Sequence, residues 1–136
     1  MVISPLLPTQ FDAAIQLWHE AGLTRPWNDP AQDLRRAIAD PAAAVLAGIE
    51  AESLLAIAMV GYDGHRGWVY YLAVKPNARG RGHGRAMMQA CERWLVERGV
   101  PKLNVMVRDD NVAARGFYTS LGYKLSDVVV LSRALQ

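Results

Sequence analysis

A glycine-rich segment at residues 79–84 joins two strongly patterned stretches, and it limits the folds open to this chain. The segment reads Arg-Gly-Arg-Gly-His-Gly. Residues 68–74 before it form an apolar run typical of a strand. Apolar residues then recur at helical spacing over residues 85–98, and Gly99 and Pro101 follow. The order strand, glycine turn, helix predicts a fold that mixes strands and helices.

The same segment has the chemistry of a phosphate site. Glycines let backbone N–H groups converge on one point, and the N-terminus of a following helix adds partial positive charge. The spacing fits neither a P-loop, because no glycine precedes Lys-Ser or Lys-Thr, nor a dinucleotide fingerprint, because Arg85 replaces its last glycine. The segment predicts a phosphorylated cofactor of another class; the alternative is a basic surface turn.

Composition favours one ordinary domain spanning residues 1–136. Half of the side chains are hydrophobic, at 51%, which is enough for a core, and the net charge of +2 is too small to indicate nucleic acid. The single cysteine, Cys91, falls on the apolar stripe of the long helix, which predicts a buried thiol. Neither metal-ligand spacing, nor a signal peptide, nor an apolar run of ~20 residues is found. We expect a cytoplasmic protein without metal or membrane contact.

The remaining patterns predict an α/β (α+β) domain with the element order βααβββαβαββ. A helix capped by Thr9 ends at Gly22, a second begins at Asp29, and a last helix runs from Asn111 or Asp110 to Gly122. The predicted strands lie at residues 1–7, 44–49, 54–62, 68–74, 103–107, 123–125 and 128–135.

Two motifs resemble the GNAT acetyltransferases, which bind acetyl-coenzyme A. Arg79-x-x-Gly82-x-Gly84 resembles the pyrophosphate loop of that family. The stretch from Asn111 to Tyr123 reads N-x-x-A-x-x-F-Y-x-x-L-G-Y and is similar to the family's late motif. The resemblance covers nearly the whole chain, because the predicted element order is also the GNAT order. It implies a central mixed, twisted β-sheet flanked by helices.

Two further segments, residues 25–30 and 61–67, resemble the YpeA-like group of small bacterial acetyltransferases. That group suggests no particular acceptor. The stretch at residues 105–108 also looks like the acetyltransferases of ribosomal-protein N-termini. The resemblance therefore leaves open a small amine, a protein N-terminus or lysine, and a non-catalytic acyl-coenzyme A module. It also allows a homodimer, since terminal strands in this fold often pair across subunits.

The resemblance implies three cofactor-binding elements. A bulge near Leu72, Ala73 and Val74 would free backbone groups to pair with the pantetheine arm, and one N–H would polarise the thioester carbonyl. Asn111 would bind the same arm through its side chain, cap the last helix, or do both. The pyrophosphate would be held by Arg79, Gly80, Arg81, Gly82, His83 and Gly84.

The implied reaction is direct attack of an amine on the thioester within a ternary complex. Tyr118 would donate a proton to the departing thiolate; the alternative is a core aromatic beside Phe117. A base is harder to assign, because residues 68–74 hold no carboxylate. The candidates are Asp29, Asp63 and His65, with Tyr70 or Tyr71 as relays, or a chain of waters.

The acceptor is expected between the first two helices and the sheet. Arg25, Trp27 and Asn28 lie in the connecting loop. Arg25 would pair with a substrate carboxylate or brace Asp29 or Asp33. Trp27 would stack on a substrate or cover the core.

Overall fold

The computed structural model describes residues 1–135, which form two compact units, residues 1–106 and the residues from 107 on. The strands are β1 (Val2–Pro5), β2 (Ala43–Glu50), β3 (Ser53–Tyr62), β4 (Gly67–Val74) and β5 (Leu103–Val105). The helices are α1 (Phe11–Glu20), α2 (Pro30–Ala39), α3 (His83–Glu97) and α4 (Val112–Ser120).

The first unit is built on one mixed sheet with the strand order β1-β2-β3-β4-β5. The first four strands are antiparallel neighbours, whereas β4 and β5 are parallel, with Gly67 opposite Leu103 and Val69 opposite Val105. Parallel neighbours need a crossover connection, and α3 supplies it. This confirms the predicted α+β class and the crossover around the long helix.

The core of this unit lies between the sheet and its helices. Trp18, Leu34 and Ile57, from α1, α2 and β3, are almost fully buried in one cluster. Cys91 of α3 is fully buried, and burial raises the pKa of its thiol to about 12. The thiol is therefore a packing group, as the apolar stripe of α3 predicted.

Helix starts show where local sequence signals succeed and where they fail. The Asp29 carboxylate accepts hydrogen bonds from the backbone N–H groups of Ala31 and Gln32, at 3.1 and 3.2 Å, and caps α2 as predicted. The predicted cap at Thr9 is wrong. Thr9 lies within a short 3-10 turn, and α1 begins at Phe11 without a side-chain cap.

The two terminal strands predicted at residues 123–125 and 128–135 are absent from the structure, which has no regular element between Ser120 and residue 135. Val129 and Leu131 are 84% and 91% exposed. A β-strand persists only where its backbone groups pair with a neighbour, and no ladder includes these described residues. The high β-propensity of these residues is therefore not enough by itself to form a strand.

Candidate functional site

The glycine-rich segment forms the N-terminus of α3. Gly80 and Gly82 have φ angles of 77° and 82°, a left-handed conformation that glycine adopts without a Cβ penalty. Gly82 occupies the N-cap position, and no side chain caps the helix. Ala86 N–H donates to the Gly82 carbonyl at 3.0 Å, so the three preceding amides of the helix lie ahead of the first intrahelical bond. The turn therefore presents N–H groups and the positive end of a 15-residue helix.

The space in front of this turn fits a phosphate group. A Cβ built at Gly80 or Gly82 would meet no atom within 4 Å. His83 is 9% exposed, and its Nε2 atom lacks a hydrogen-bond partner within residues 1–135. Buried polar atoms are rarely left unsatisfied, so an oxygen-rich ligand is a suitable partner for this nitrogen. The residues present thus suit a pyrophosphate-bearing cofactor.

The two loop arginines are directed differently. Arg79 Nε donates to the Val74 carbonyl at 3.3 Å, which ties the loop to the end of β4. Arg81 binds both carboxylate oxygens of Glu50, at 3.3 and 3.1 Å. The hydrogen bond and charge of Arg81 lower the pKa of Glu50. Because its guanidinium is engaged there, we assign only the Arg81 backbone amide to the ligand side.

A bulge distorts β4 close to where the resemblance placed it. The β3–β4 register shifts between Ile57 and Met59, so that Ala58 faces both Tyr71 and Leu72. Tyr71 has a φ angle of 57°, which is rare for a residue with a bulky side chain. The bulge therefore includes Leu72 and begins one residue earlier than the stretch 72–74.

From residue 70 to the end of β4, one edge of the strand is open, with no strand of the described chain paired to it. Strand β5 pairs only with Gly67–Val69 and ends at Val105. The five residues 70–74 consequently have no β5 neighbour. An extended ligand with amide groups can add to such an edge as a strand does.

Tyr71 is held from two sides. Its carbonyl accepts a hydrogen bond from Trp18 Nε1 at 2.9 Å, and the two rings stack with centroids 4.2 Å apart. Its hydroxyl donates to Asp33 Oδ2 at 2.7 Å. Burial and the Asp33 carboxylate raise the pKa of Tyr71, so the phenol remains a protonated donor at neutral pH.

An open cavity of about 580 Å³ lies between α2 and strands β3 and β4. Its apolar walls include Met59 and Val60. The polar and aromatic side chains that line it are Asn28, Asp33, Arg36, Asp40, Tyr70 and Tyr71. A cavity of this size, with a few polar groups on apolar walls, is typical of a small-molecule site.

Of the three predicted acceptor residues, the structure places Asn28 in the wall of this cavity. Arg25 instead donates to the carbonyls of Gly22 and Thr24, at 2.8 and 2.9 Å, and fixes the loop after α1. Trp27 is 71% exposed, and it is not among the cavity-lining residues.

Sequence reasoning missed the charged side chains that α2 contributes. Asp33, Arg36, Ala37 and Asp40 all line the cavity. They are spaced i, i+3, i+4 and i+7, which is one face of a helix. The charged residues on this helix face were the sequence signal that could have indicated the site. They were missed because such a pattern is also typical of an ordinary solvated helix face.

The predicted base candidates have structural roles in the turn and cap that contain them. Asp63 accepts hydrogen bonds from the backbone N–H groups of His65 and Arg66 and from Trp68 Nε1, all within 3 Å. These bonds lower the pKa of Asp63 to about 2, which makes it a poor base. His65 is exposed in the same turn, and Asp29 caps α2.

Asp63 should make folding stability depend on acid pH. Its folded pKa of about 2 lies below the ordinary value of 3.8, so its stabilisation is complete above about pH 4 and is lost as pH falls toward 2. Asp63→Asn should flatten the decline of Tm over that range, as measured by circular dichroism. Trp68→Phe removes one donor and should give an intermediate slope; a wild-type slope in Asp63→Asn would contradict this assignment.

Asn111 and Tyr118 belong to the second unit, around α4. Asn111 Oδ1 accepts from the Ala114 amide at 3.0 Å and caps the helix, which leaves the amide nitrogen of its side chain available for a ligand. Tyr118 is half-buried and makes edge-on ring contacts with Phe117 and Tyr123, at 5.0 and 5.7 Å. Cofactor binding by Asn111 and proton donation by Tyr118 stay predictions.

Two kinds of site are not seen within residues 1–135. No group of three or more His, Cys, Asp or Glu side chains there could hold a metal ion. None of the described helices has the length and apolar character needed to span a membrane.

Comparison with known proteins gives consistent matches. The sequence pattern of the "Acetyltransferase (GNAT) family" matches residues 12–123. An acetyltransferase of Yersinia enterocolitica is 42% identical over 99% of this chain and 96% of its own length. The ribosomal-protein-S18-alanine N-acetyltransferase of Escherichia coli is 26% identical, with a TM-score of 0.76 over 89% of this chain and 76% of its own. The structure of AAC(6′)-Iy with a coenzyme A bisubstrate analogue, at 15% identity, shares the fold, with a TM-score of 0.83 over 98% and 97%.

Proposed function

The chain belongs to the acetyltransferase (GNAT) family, and from this premise we propose that it transfers the acetyl group of acetyl-coenzyme A to a primary amine. The observation that carries the proposal is the N-terminus of α3, where a glycine turn presents uncapped amides to open space. The cofactor would bind along the open edge of β4, and the acceptor would bind in the cavity beside Tyr71.

The cofactor would be held by two backbone elements. The amides of residues 80–84 and the dipole of α3 suit the pyrophosphate, with the orphaned His83 nitrogen as an added partner. The backbone at 70–74 suits the amide-bearing pantetheine arm. Bound there, acetyl-coenzyme A supplies a thioester with a good leaving group. Backbone N–H groups at the bulge would polarise its carbonyl.

A small amine is favoured over a protein acceptor by the shape of the site. The space beside the bulge is an open cavity of about 580 Å³ with charged and aromatic walls, a volume typical of a small-molecule site, whereas a protein acceptor would extend beyond it. The similarity to the Escherichia coli ribosomal-protein acetyltransferase supports a protein N-terminus as the alternative acceptor. A panel containing both an alkylamine and an N-terminal peptide of a ribosomal protein distinguishes them.

Two side chains would transfer the protons of the reaction, one as an acceptor and one as a donor. The amine arrives as an ammonium and must lose a proton before it attacks. The carboxylate of Asp33, which accepts from the hydroxyl of Tyr71 at the bulge, would receive that proton. Tyr118 would return a proton to the departing sulfur. The half-buried phenol of Tyr118 lies in an aromatic setting, which suits a neutral acid.

Calorimetric titration with acetyl-coenzyme A tests the proposal first. We expect saturable binding of acetyl-coenzyme A and coenzyme A and none of NADH, because the glycine turn does not have dinucleotide spacing. Thiol release in the presence of primary amines should then report turnover. A folded protein that binds no coenzyme A species would overturn the cofactor assignment, and one that binds without turnover would favour a non-catalytic acyl-coenzyme A module.

We further propose a cytoplasmic homodimer. The described part of the chain after α4 exposes a run of apolar side chains, Val128 to Leu131, that a second copy could cover. Analytical ultracentrifugation across a concentration series should show a dimer, and a monomer at all concentrations would contradict it.

A further inference from the structure

We infer that the acceptor amine carries a second cationic group, so that a diamine is preferred over a monoamine and over an amino acid of the same length. This inference rests on the proposed acetyl transfer and concerns the acceptor end of the same site. It comes from the charge pattern of the cavity wall and from the spacing of its two carboxylates.

The cavity wall on α2 has a net negative charge. Asp33 and Asp40 carry two negative charges, and Arg36, between them, carries one positive charge. None of the three makes an ion pair within 4.0 Å among the described residues. Two carboxylates without internal cations are available to ligand ammonium groups, and an acidic ligand would meet a net repulsion.

Asp33 marks the reactive end of the cavity. Its Oδ2 atom accepts from the hydroxyl of Tyr71, the residue at the β4 bulge, at 2.7 Å. The open β4 edge, where the thioester arm would bind, begins at the same place. Within residues 1–135 the Asp33 carboxylate accepts one hydrogen bond, from Tyr71, so it keeps unused lone pairs. It can therefore receive the attacking amine as an ammonium.

Asp40 lies at the C-terminal end of α2, seven residues from Asp33. Its Oδ1 atom accepts from the Ala42 amide at 2.8 Å, and the Ala42 carbonyl accepts from the Tyr62 amide at the end of β3. Along α2, seven residues from Asp33 to Asp40 span about 10 Å at 1.5 Å per residue. Along β3, the four residues from Ala58, opposite Tyr71, to Tyr62 span about 13 Å. Both measures place the backbones of the two residues about 10 to 13 Å apart, a span that a short alkyl diamine with a contact at each end can bridge.

The walls between the two carboxylates suit an alkyl chain. Met59 and Val60 supply apolar surface, and Tyr70, which is 41% exposed, adds an aromatic ring to the same wall. Burial raises the pKa of Tyr70, so its ring stays neutral at physiological pH. A ring face favours a nearby ammonium through its quadrupole.

Acetyl transfer uses one of the two amine groups of the diamine. The amine nitrogen bonds to the acetyl carbonyl carbon, the carbon–sulfur bond breaks, and sulfur keeps the electron pair. One proton leaves the ammonium to Asp33 or through it to water, and one reaches sulfur. The second ammonium stays protonated at Asp40 throughout.

Cadaverine, pentylamine and aminovalerate test the inference, because they differ only in the group at the far end. We expect kcat/KM for thiol release to fall in that order, with the diamine about three- to tenfold above the monoamine. A monoamine or amino acid that matches or exceeds the diamine would overturn the inference while leaving acetyl transfer intact. If another amine releases thiol while none of these three does, the acceptor inference is wrong and acetyl transfer stands. If no acetyl-coenzyme A binds, the proposed function itself is wrong.

Two substitutions with opposite charge effects sharpen the test. Asp40→Asn keeps an Oδ1 acceptor for the Ala42 amide and removes the charge, so the ratio of diamine to monoamine kcat/KM should drop to about one. Arg36→Gln removes the positive charge, and the ratio should rise. Asp12→Asn, on α1 outside the cavity, is the matched control and should keep the wild-type ratio. An unchanged ratio in both cavity variants would contradict the inference.

Discussion

Tyr118→Phe is expected to lower kcat for acetyl transfer by about 10²- to 10⁴-fold while leaving acetyl-coenzyme A affinity unchanged. The substitution removes one hydroxyl and keeps the ring that packs edge-on against Phe117 and Tyr123. Folding and cofactor binding should therefore persist. The loss should appear in kcat rather than in KM, because a proton donor acts on the departing sulfur and not on the bound ground state.

The matched control is Tyr123→Phe, which removes a neighbouring hydroxyl from the same aromatic cluster. Phe keeps the edge-on ring contact with Tyr118, so this variant should retain wild-type kcat. Single-turnover kinetics separate chemistry from product release in both variants. A wild-type kcat in Tyr118→Phe would remove Tyr118 from the catalytic role, and equal losses in both variants would indicate a packing effect instead.

The main strands and helices of the first unit could be predicted from the sequence, because the patterns that indicate them lie within short stretches of the chain. The apolar runs that predicted β2, β3 and β4 match the observed strands to within one or two residues. The Asp29-Pro30 cap and the glycine turn before α3 also have direct stereochemical meanings, and both appear where predicted. Such features need only neighbours in the chain to be recognised.

Features that depend on distant partners could not be predicted in the same way. The contact between Asp33 and Tyr71 joins residues 38 positions apart, and only the packing of α2 on the sheet brings them together. The apolar run at 128–131 shows the converse, since strand-like composition without a described partner leaves it irregular. The proposed acceptor site depends on contacts of this distant kind. The sequence therefore pointed to Arg25 and Trp27, which do not line the cavity, and not to Asp33 and Asp40, which do.

Gly82→Asp should weaken acetyl-coenzyme A binding by about a hundredfold or more, as measured by calorimetry. The new carboxylate would stand in open space in front of the α3 amides, where the pyrophosphate is expected. Like charges a few ångströms apart repel by about 1 to 4 kcal/mol, depending on local polarity, and each 1.4 kcal/mol is a tenfold change in Kd. The carboxylate would also accept hydrogen bonds from the amides that the cofactor needs.

Backbone strain is the competing explanation, because Gly82 has a φ angle of 82°. Gly99→Asp is the matched control: Gly99 follows the same helix, has a φ angle of 73°, and likewise leaves room for a Cβ. Both variants should lose similar stability, about 1 kcal/mol, since aspartate tolerates the left-handed region better than most residues. Only Gly82→Asp should lose cofactor affinity, and Gly82→Ala, without the charge, should fall between it and the wild type. If Gly82→Asp and Gly99→Asp lost acetyl-coenzyme A affinity equally, the loss would come from strain in the helix and not from the loop.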